Sequence, residues 1–263
     1  MIRVATYNIH KGVQGLGPAR RLEIHNLGDS LNRLALDLLF LQEVRLFNRR
    51  EARRFAHGPA AWPDQAQAQV LTPPGFHSVY RTNAFTRHGE HGNALVSRHP
   101  VCQVVHRDIS DHRLEQRGLL HVVLDWPLDA PADGPNAAPG TRPLHALVVH
   151  LGLMHGSRLR QTQSIIEHIR QQIPPQDAVL VAGDFNDWNE RLDSLWHNAG
   201  LIRAADPQGQ PVRTFPARLP VFALDRLYTR GLNCQALWAP REPGWKALSD
   251  HLPLLGKLDW STP

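Results

Sequence analysis

The sequence predicts an α/β fold, α+β in a looser scheme, because short apolar runs alternate with amphipathic stretches from one end to the other. Its composition supports a packed core: 42% hydrophobic and 20% charged residues are ordinary globular usage, so 263 residues can fold without disulfide staples. No internal repeat or shift of composition divides the chain, which predicts one domain over residues 1–263.

Strands are expected where apolar runs reach strand length, at residues 2–8, 38–42, 93–97, 119–125, 144–150, 178–182, 223–228 and 252–255. One helix is expected over 21–36, where Leu27, Leu31, Leu34 and Ala35 carry the apolar pattern, and a second over 157–173, where Pro174 and Pro175 stop it. Residues 127–143, rich in Pro, Gly, Ala and Asp, read as a long hairpin loop, because the runs beside them are too short to close one domain and open another. This segment and residues 47–74 are expected to control access of substrate. Cys102 and Cys234 stand far apart with no CxxC or His/Cys cluster, so they are expected to be small buried apolar residues and not a zinc site. The N-terminus lacks the pattern of a secretory leader, and no apolar stretch reaches the roughly 20 residues that span a bilayer. A cytoplasmic protein and, by default, a monomer are expected.

Lys and Arg number 29 against 24 Asp and Glu, a formal net charge of +5 whose excess is arginine, the side chain suited to bidentate phosphate contacts. A polyanionic substrate and plain solubility explain such an excess equally well, since no run of basic residues stands out.

Polar residues of catalytic type close the apolar runs. Asn8 ends the first, Glu43 the second and His150 a later one; Asp184 and Asn186 follow the run at 178–183, Asp225 interrupts another, and Asp250-His251 introduces the last. If these ends share one edge of the sheets, the groups converge in an acidic pocket, where α/β folds commonly bind ligands.

Taken in order, Tyr7-Asn8-Ile9-His10, Leu41-Gln42-Glu43-Val44, His150-Leu151-Gly152-Leu153, Gly183-Asp184-Phe185-Asn186-Asp187 and Ser249-Asp250-His251 resemble the motifs of the endonuclease/exonuclease/phosphatase superfamily. That superfamily includes pancreatic-type deoxyribonucleases, abasic-site endonucleases, neutral sphingomyelinases and inositol-polyphosphate 5-phosphatases. The stretch from Leu224 to Tyr228, with Gly92 to Arg98, looks like a small bacterial subgroup. The resemblance runs from Asn8 to His251 and implies a four-layered sandwich of two packed mixed β-sheets flanked by helices. It also implies a metal-dependent hydrolase of phosphate esters.

The chemistry explains why such residues belong together. A phosphodiester anion repels hydroxide, so hydrolysis needs a cation on the phosphate oxygens and a positioned, deprotonated water. Glu43 is the first choice as metal ligand, since Mg²⁺ or Mn²⁺ prefers carboxylate oxygen. By resemblance Asn8 and Asp250 join it, Asp184 orients and deprotonates the attacking water, and Asn186 holds a phosphate oxygen. His251 is expected to face a solvated cleft and donate to the scissile phosphate, with Asp225 fixing its ring; His150 belongs to the same catalytic set. Arg117, Asn93 and Lys11 are assigned to the substrate phosphate, Asn93 as a support. Each has a plainer reading as a strand-end carboxylate, a turn amide or a surface salt bridge. Of the 16 histidines, His88, His91, His99 and His121 lie in no motif.

Two departures bear on substrate. Leu224-Asp225-Arg226-Leu227 puts an arginine beside the histidine-orienting aspartate, and the tyrosine-containing segment of abasic-site enzymes is not found. The leading expectation is a phosphodiesterase acting on nucleic acid, a phospholipid headgroup or another small phosphodiester; phosphomonoester hydrolysis ranks behind it. A different class of answer is a non-catalytic nucleic-acid or protein binding module on the same fold.

Overall fold

The computed structural model describes residues 1–15, 17–57, 60–128 and 140–261. In chain order the strands are β1 (Ile2–Asn8), β2 (Val13–Gln14), β3 (Arg21–Leu22), β4 (Leu38–Asn48), β5 (His77–Thr86), β6 (Gly89–Ser97), β7 (Val101–Asp108), β8 (Gly118–Pro127), β9 (Thr141–His150), β10 (Ala178–Asp184), β11 (Ile202–Arg203), β12 (Asp225–Arg230), β13 (Leu232–Trp238) and β14 (Leu254–Trp260). The α-helices are α1 (Ile24–Asn32), α2 (Arg49–Arg54), α3 (Gln67–Val70), α4 (His155–Gln172) and α5 (Asp193–Asn198).

Twelve of the strands form two six-stranded sheets, ordered β13-β14-β1-β4-β6-β5 and β11-β12-β10-β9-β8-β7. Each sheet is mixed, with one parallel pair, β1 with β4 and β9 with β10, among antiparallel neighbours. The alternation of side chains along a strand assigns the layers. Val4, Phe40, Ala146, Val148, Leu180 and Ala182 fill the space between the sheets. Their neighbours in sequence face outward: Ala5 and Leu39 pack under α1 with Leu27 and Leu31, while Leu147 and Val179 pack under α4 with Ile165 and Ile169. Each buried Leu or Ile stabilises the sandwich by about 1.5–3 kcal/mol relative to exposure. The four-layered α/β sandwich expected from the motifs is therefore present.

The second expected helix, 157–173, matches α4. The first is shorter than expected: Arg21 and Leu22 pair with β2, and the chain leaves the helix before Ala35, which takes a left-handed φ of 48°. The two-residue strands β2, β3 and β11 lay outside the expected set, and so did three longer ones, β5, β7 and β13. All three are sheet edges with many half-buried or exposed positions, so they carry no continuous apolar run. Cys102, expected to be buried, is exposed on β7. β8 and β9 pair as a hairpin up to Pro127 and Thr141; residues 129–139 of the expected loop lie outside the described residues. Among the described residues, no helix is long and apolar enough to cross a membrane.

Candidate active site

The alternation that fills the core also builds the site. On β9, Ala146 and Val148 face the inter-sheet layer and His150 is next on that face; on β10, Leu180 and Ala182 lead to Asp184; on β1, Val4 and Thr6 lead to Asn8. Register puts them in line. His150 pairs with Asp184 across β9 and β10, and Asp184 with Asp225 across β10 and β12, so three titratable side chains form a row across one sheet. From the other sheet, Asn8 donates through Nδ2 to Asp184 Oδ2 at 3.0 Å. Gly183 is required before Asp184 because the parallel pairing leaves no room: a Cβ there would stand 1.9 Å from the Val149 carbonyl oxygen.

His251 enters from the segment before β14. Its Nδ1 lies 2.8 Å from Asp225 Oδ2 and its Nε2 3.6 Å from Asp184 Oδ2, while His150 Nε2 approaches the same Asp184 oxygen at 3.7 Å. Asp184 thus sits between two histidines whose surroundings drive them apart. Burial pushes His150 well below the ordinary imidazole range, and the positive Arg117 adds to it. Burial pulls His251 the same way, but Asp225 and Asp184 outweigh it and push its pKa up. Asp184 is itself pushed up, chiefly by burial; His251 opposes this and Asp225 adds to it. The solvated cleft expected around His251 is corrected: the residue is only 5% exposed, its ring covered by Phe215 with centroids 4.8 Å apart. Phe215 continues into Trp188 and Phe222 as an aromatic wall.

Glu43 arrives by another device. Between Leu41↔Ala94 and Val44↔Gly92 the pairing of β4 with β6 slips, so that Gln42 and Glu43 oppose Asn93 alone, and Glu43 takes a φ of 58°. This bulge carries Glu43 Oε2 to 3.0 Å from Lys11 Nζ. Burial would raise the Glu43 pKa, but the Lys11 ammonium, by its charge and its hydrogen bond, holds it far below the usual carboxylate range. His10 Nδ1 lies 3.0 Å from Asp250 Oδ2, and against the effect of burial it and His251 keep Asp250 low. Of the six non-glycine residues with positive φ among the described residues, four are His10, Lys11, Glu43 and Asn186. Such conformations cost about 1–3 kcal/mol each and gather where function over-determines them.

The remaining expected residues border the same place. Asn186 donates its backbone N–H to Asp184 Oδ1 at 3.0 Å and its amide to the Leu151 carbonyl at 2.9 Å. Arg117 donates to that carbonyl through Nε at 3.2 Å and to Glu115 Oε1 at 3.1 Å. Asn93 is not a turn residue: it is buried mid-strand on β6, and its amide donates to the carbonyls of Gly118 and Val148, joining the sheets.

Arg226 does not join the cluster around Asp184. It faces the other side of the sheet from Asp225 and binds Asp187, Asp193 and Tyr228, so Asp187 is held in a structural network. Two residues of the site escaped the sequence. Thr214 donates to Asp225, and no motif marks it. Ser249 donates to the Asn8 carbonyl at 2.7 Å, and its place just before Asp250 was the available signal.

Two helix-flanked mixed sheets with a histidine–carboxylate cluster at one end of their shared layer define a deoxyribonuclease I-like fold. The chain belongs to the endonuclease/exonuclease/phosphatase family, whose model matches residues 5–251. Members of this family are hydrolases acting on phosphoesters. The chain is similar to the uncharacterized protein YbhP of Escherichia coli (strain K12), at 32% identity over 259 residues, 97% of this chain and 95% of the relative. In fold it is similar to the human Nocturnin catalytic domain solved with a bound sulfate anion, with a TM-score of 0.68, 20% identity, and coverage of 99% of this chain and 94% of that one. It is also similar in fold to a mannosyl-6-phosphatase of Bacteroides thetaiotaomicron VPI-5482, with a TM-score of 0.68, 14% identity, and coverage of 99% and 100%.

Proposed function

We propose that this protein is a divalent-metal-dependent phosphodiester hydrolase, one catalytic domain over residues 1–263, acting by in-line attack of water without a covalent intermediate. One observation carries the reading: Asp184 lies between a histidine driven neutral and a histidine driven cationic, all three buried at the end of the inter-sheet layer. Environments that push paired groups apart divide acid from base work.

The residues fit a hard cation. Glu43, Asp250 and the side-chain Oδ1 of Asn8 offer oxygen donors only, and both carboxylates are held ionised. Among the described residues, the group whose ligand atoms lie within 4.8 Å of one another is Asp184, Asp225 and His251. That second group is assigned to proton chemistry, because Asp225 already engages His251 Nδ1 and the ring is driven cationic. Glu43, with Asp250 and Asn8, would hold Mg²⁺ or Mn²⁺, which when bound polarises phosphate oxygens and offsets their developing charge.

The chain's own groups do the rest. Asp184, its proton affinity raised by burial, accepts a proton from the attacking water while Asn8 and the Asn186 N–H fix its carboxylate. His251 commits Nδ1–H to Asp225 and presents Nε2–H to the negative charge that builds on the phosphoryl group. Neutral His150 adds a hydrogen bond without a charge, and Asn186 has a second amide hydrogen for a phosphate oxygen. Arg117 and Lys11 keep unused donors for the phosphate, and Asn93 supports the wall behind them.

The test is turnover of bis-p-nitrophenyl phosphate with Mg²⁺ or Mn²⁺. Activity lost to chelator and to Asp184→Ala is expected. Inactivity toward this ester, plasmid DNA, RNA, phospholipids and phosphomonoesters would leave only a binding module.

A further inference from the structure

Beyond the bulge at Glu43, β4 continues to Asn48 and passes directly into α2. This extension carries Arg49, Arg50, Arg53 and Arg54, and the pairing of Asn48 with Gly89 sets it beside the turn between β5 and β6. With Arg87 and His88 from that turn, the four arginines line a cleft of about 610 Å³ that has no acidic lining residue. Glu51, the acid within α2, is buried and spent on Arg20 at 3.0 Å. The guanidinium groups of Arg49, Arg50, Arg53 and Arg87 have no hydrogen-bond or ion-pair partner among the described residues. The sequence signal was the run Arg49-Arg50-Glu51-Ala52-Arg53-Arg54, four arginines in six residues, against the expectation that no basic run stands out.

Exposed apolar side chains accompany the arginines. Leu46 and Phe47 are each 43% exposed on β4, and Phe85 is 72% exposed on β5. The rim continues by hydrogen bonds: the Phe85 N–H donates to Gln116 Oε1, beside Leu114, and the Leu153 N–H donates to Glu115 Oε1. Leu114, Leu153 and Met154 are 97%, 60% and 66% exposed. The same segment meets the candidate active site, since Leu151 accepts from Asn186 and Arg117.

We infer that this rim docks the protein on an anionic phospholipid bilayer, with the arginine cleft on headgroup phosphates and the apolar side chains at the acyl boundary. Charge complementarity favours an anionic surface, and guanidinium forks suit phosphate oxygens. Phe47 and Phe85 would suit either partner, but exposed Leu46, Leu114, Leu153 and Met154 favour lipid over single-stranded nucleic acid, because bases stack on aromatic faces and aliphatic side chains offer none. The cleft lies about 20 Å along the chain from Glu43, at strand rise per residue. Docking there presents the site to phosphoesters in the headgroup layer, and in that respect the inference rests on the hydrolase reading.

The test is co-sedimentation of the full chain with phosphatidylcholine vesicles, with and without phosphatidylglycerol. Anionic vesicles should bind at least about tenfold more tightly than neutral ones, and added salt should weaken the binding. Arg50→Glu with Arg53→Glu should abolish it, and Phe47→Ser with Phe85→Ser should weaken it about tenfold or more. All four residues are exposed, so melting temperature and hydrolysis of soluble bis-p-nitrophenyl phosphate should stay unchanged. Equal binding to both vesicles, binding of single-stranded DNA in their place, or a dimer that Phe47→Ser with Phe85→Ser dissolves would each overturn the inference. Vesicle binding without any hydrolysis would sustain it while removing the hydrolase reading; hydrolysis without vesicle binding would do the reverse.

Discussion

Two groups of buried histidines lie on opposite faces of the same sheet. On the inner face His150 meets Asp184, with His251 and Asp225 beside it. On the outer face, under α4, His168 Nε2 lies 3.0 Å from His121 Nδ1, His121 Nε2 lies 2.9 Å from His145 Nδ1, and His145 Nε2 lies 3.2 Å from Asp177 Oδ2. The outer chain has one carboxylate, at its end, and burial keeps all three rings below the ordinary imidazole range, His121 down to about 3. The inner pair is surrounded by carboxylates, and one ring is driven the other way. Burial alone makes a histidine a neutral structural residue; burial among carboxylates makes it a chemical one. Strand parity decides which, because His145 and His150 share β9 and face opposite layers.

The largest effect that could break this comparison is on turnover. His251→Ala should lower it by about 10³-fold, and Asp184→Ala by as much, in metal-dependent assays. Because His251 is buried against Asp225, its removal should also destabilise the fold by about 3–5 kcal/mol, read as a large fall in melting temperature. An unchanged melting temperature would mean the pair is open to water. Next in size is pH. The outer histidines have depressed pKa values, so the unfolded chain binds protons that the native state refuses; their contribution is complete above about pH 6.5 and is lost as pH falls. For His121 the loss is on the order of 3 kcal/mol by pH ~4. His251, raised by Asp225 and Asp184, has the opposite sign: its contribution is present below about pH 6.5 and is lost as pH rises through its folded value. Denaturant unfolding across pH would show both limbs, and a flat acid limb would contradict the neutral chain.

Glu43→Gln should weaken the Mg²⁺ or Mn²⁺ titration of turnover by about tenfold or more, since a neutral amide is a poorer ligand for a hard cation. Identical titrations would move Glu43 out of the ion's shell. Smallest is Cys102→Ser, on the exposed face of β7, which should shift stability by no more than about 0.5 kcal/mol in urea unfolding.

Much of this was legible in the chain because β1, β9 and β10 are buried on both faces, and continuous apolar runs mark such strands. Residues that end those runs, Asn8, His150 and Asp184, stood out for the same reason. The sheet edges were illegible, since β5 and β7 mix exposed and half-buried positions without a continuous apolar run or a clean alternation. Thr214 was missed because its contact with Asp225 follows no local pattern, and Ser249, though it opens the Ser249-Asp250-His251 motif, was given no role because its bond to the Asn8 carbonyl joins distant segments. Glu43 was found, but not how it reaches the site: a bulge depends on the pairing of two strands and not on one.

The most direct measurement compares Asp184→Asn with His121→Gln in bis-p-nitrophenyl phosphate turnover, at a temperature where both variants are folded. Loss of activity by about 10³-fold in the first and near wild-type activity in the second is predicted. Retained activity in Asp184→Asn, or an equal loss in both, would contradict the assignment of chemistry to the inner face.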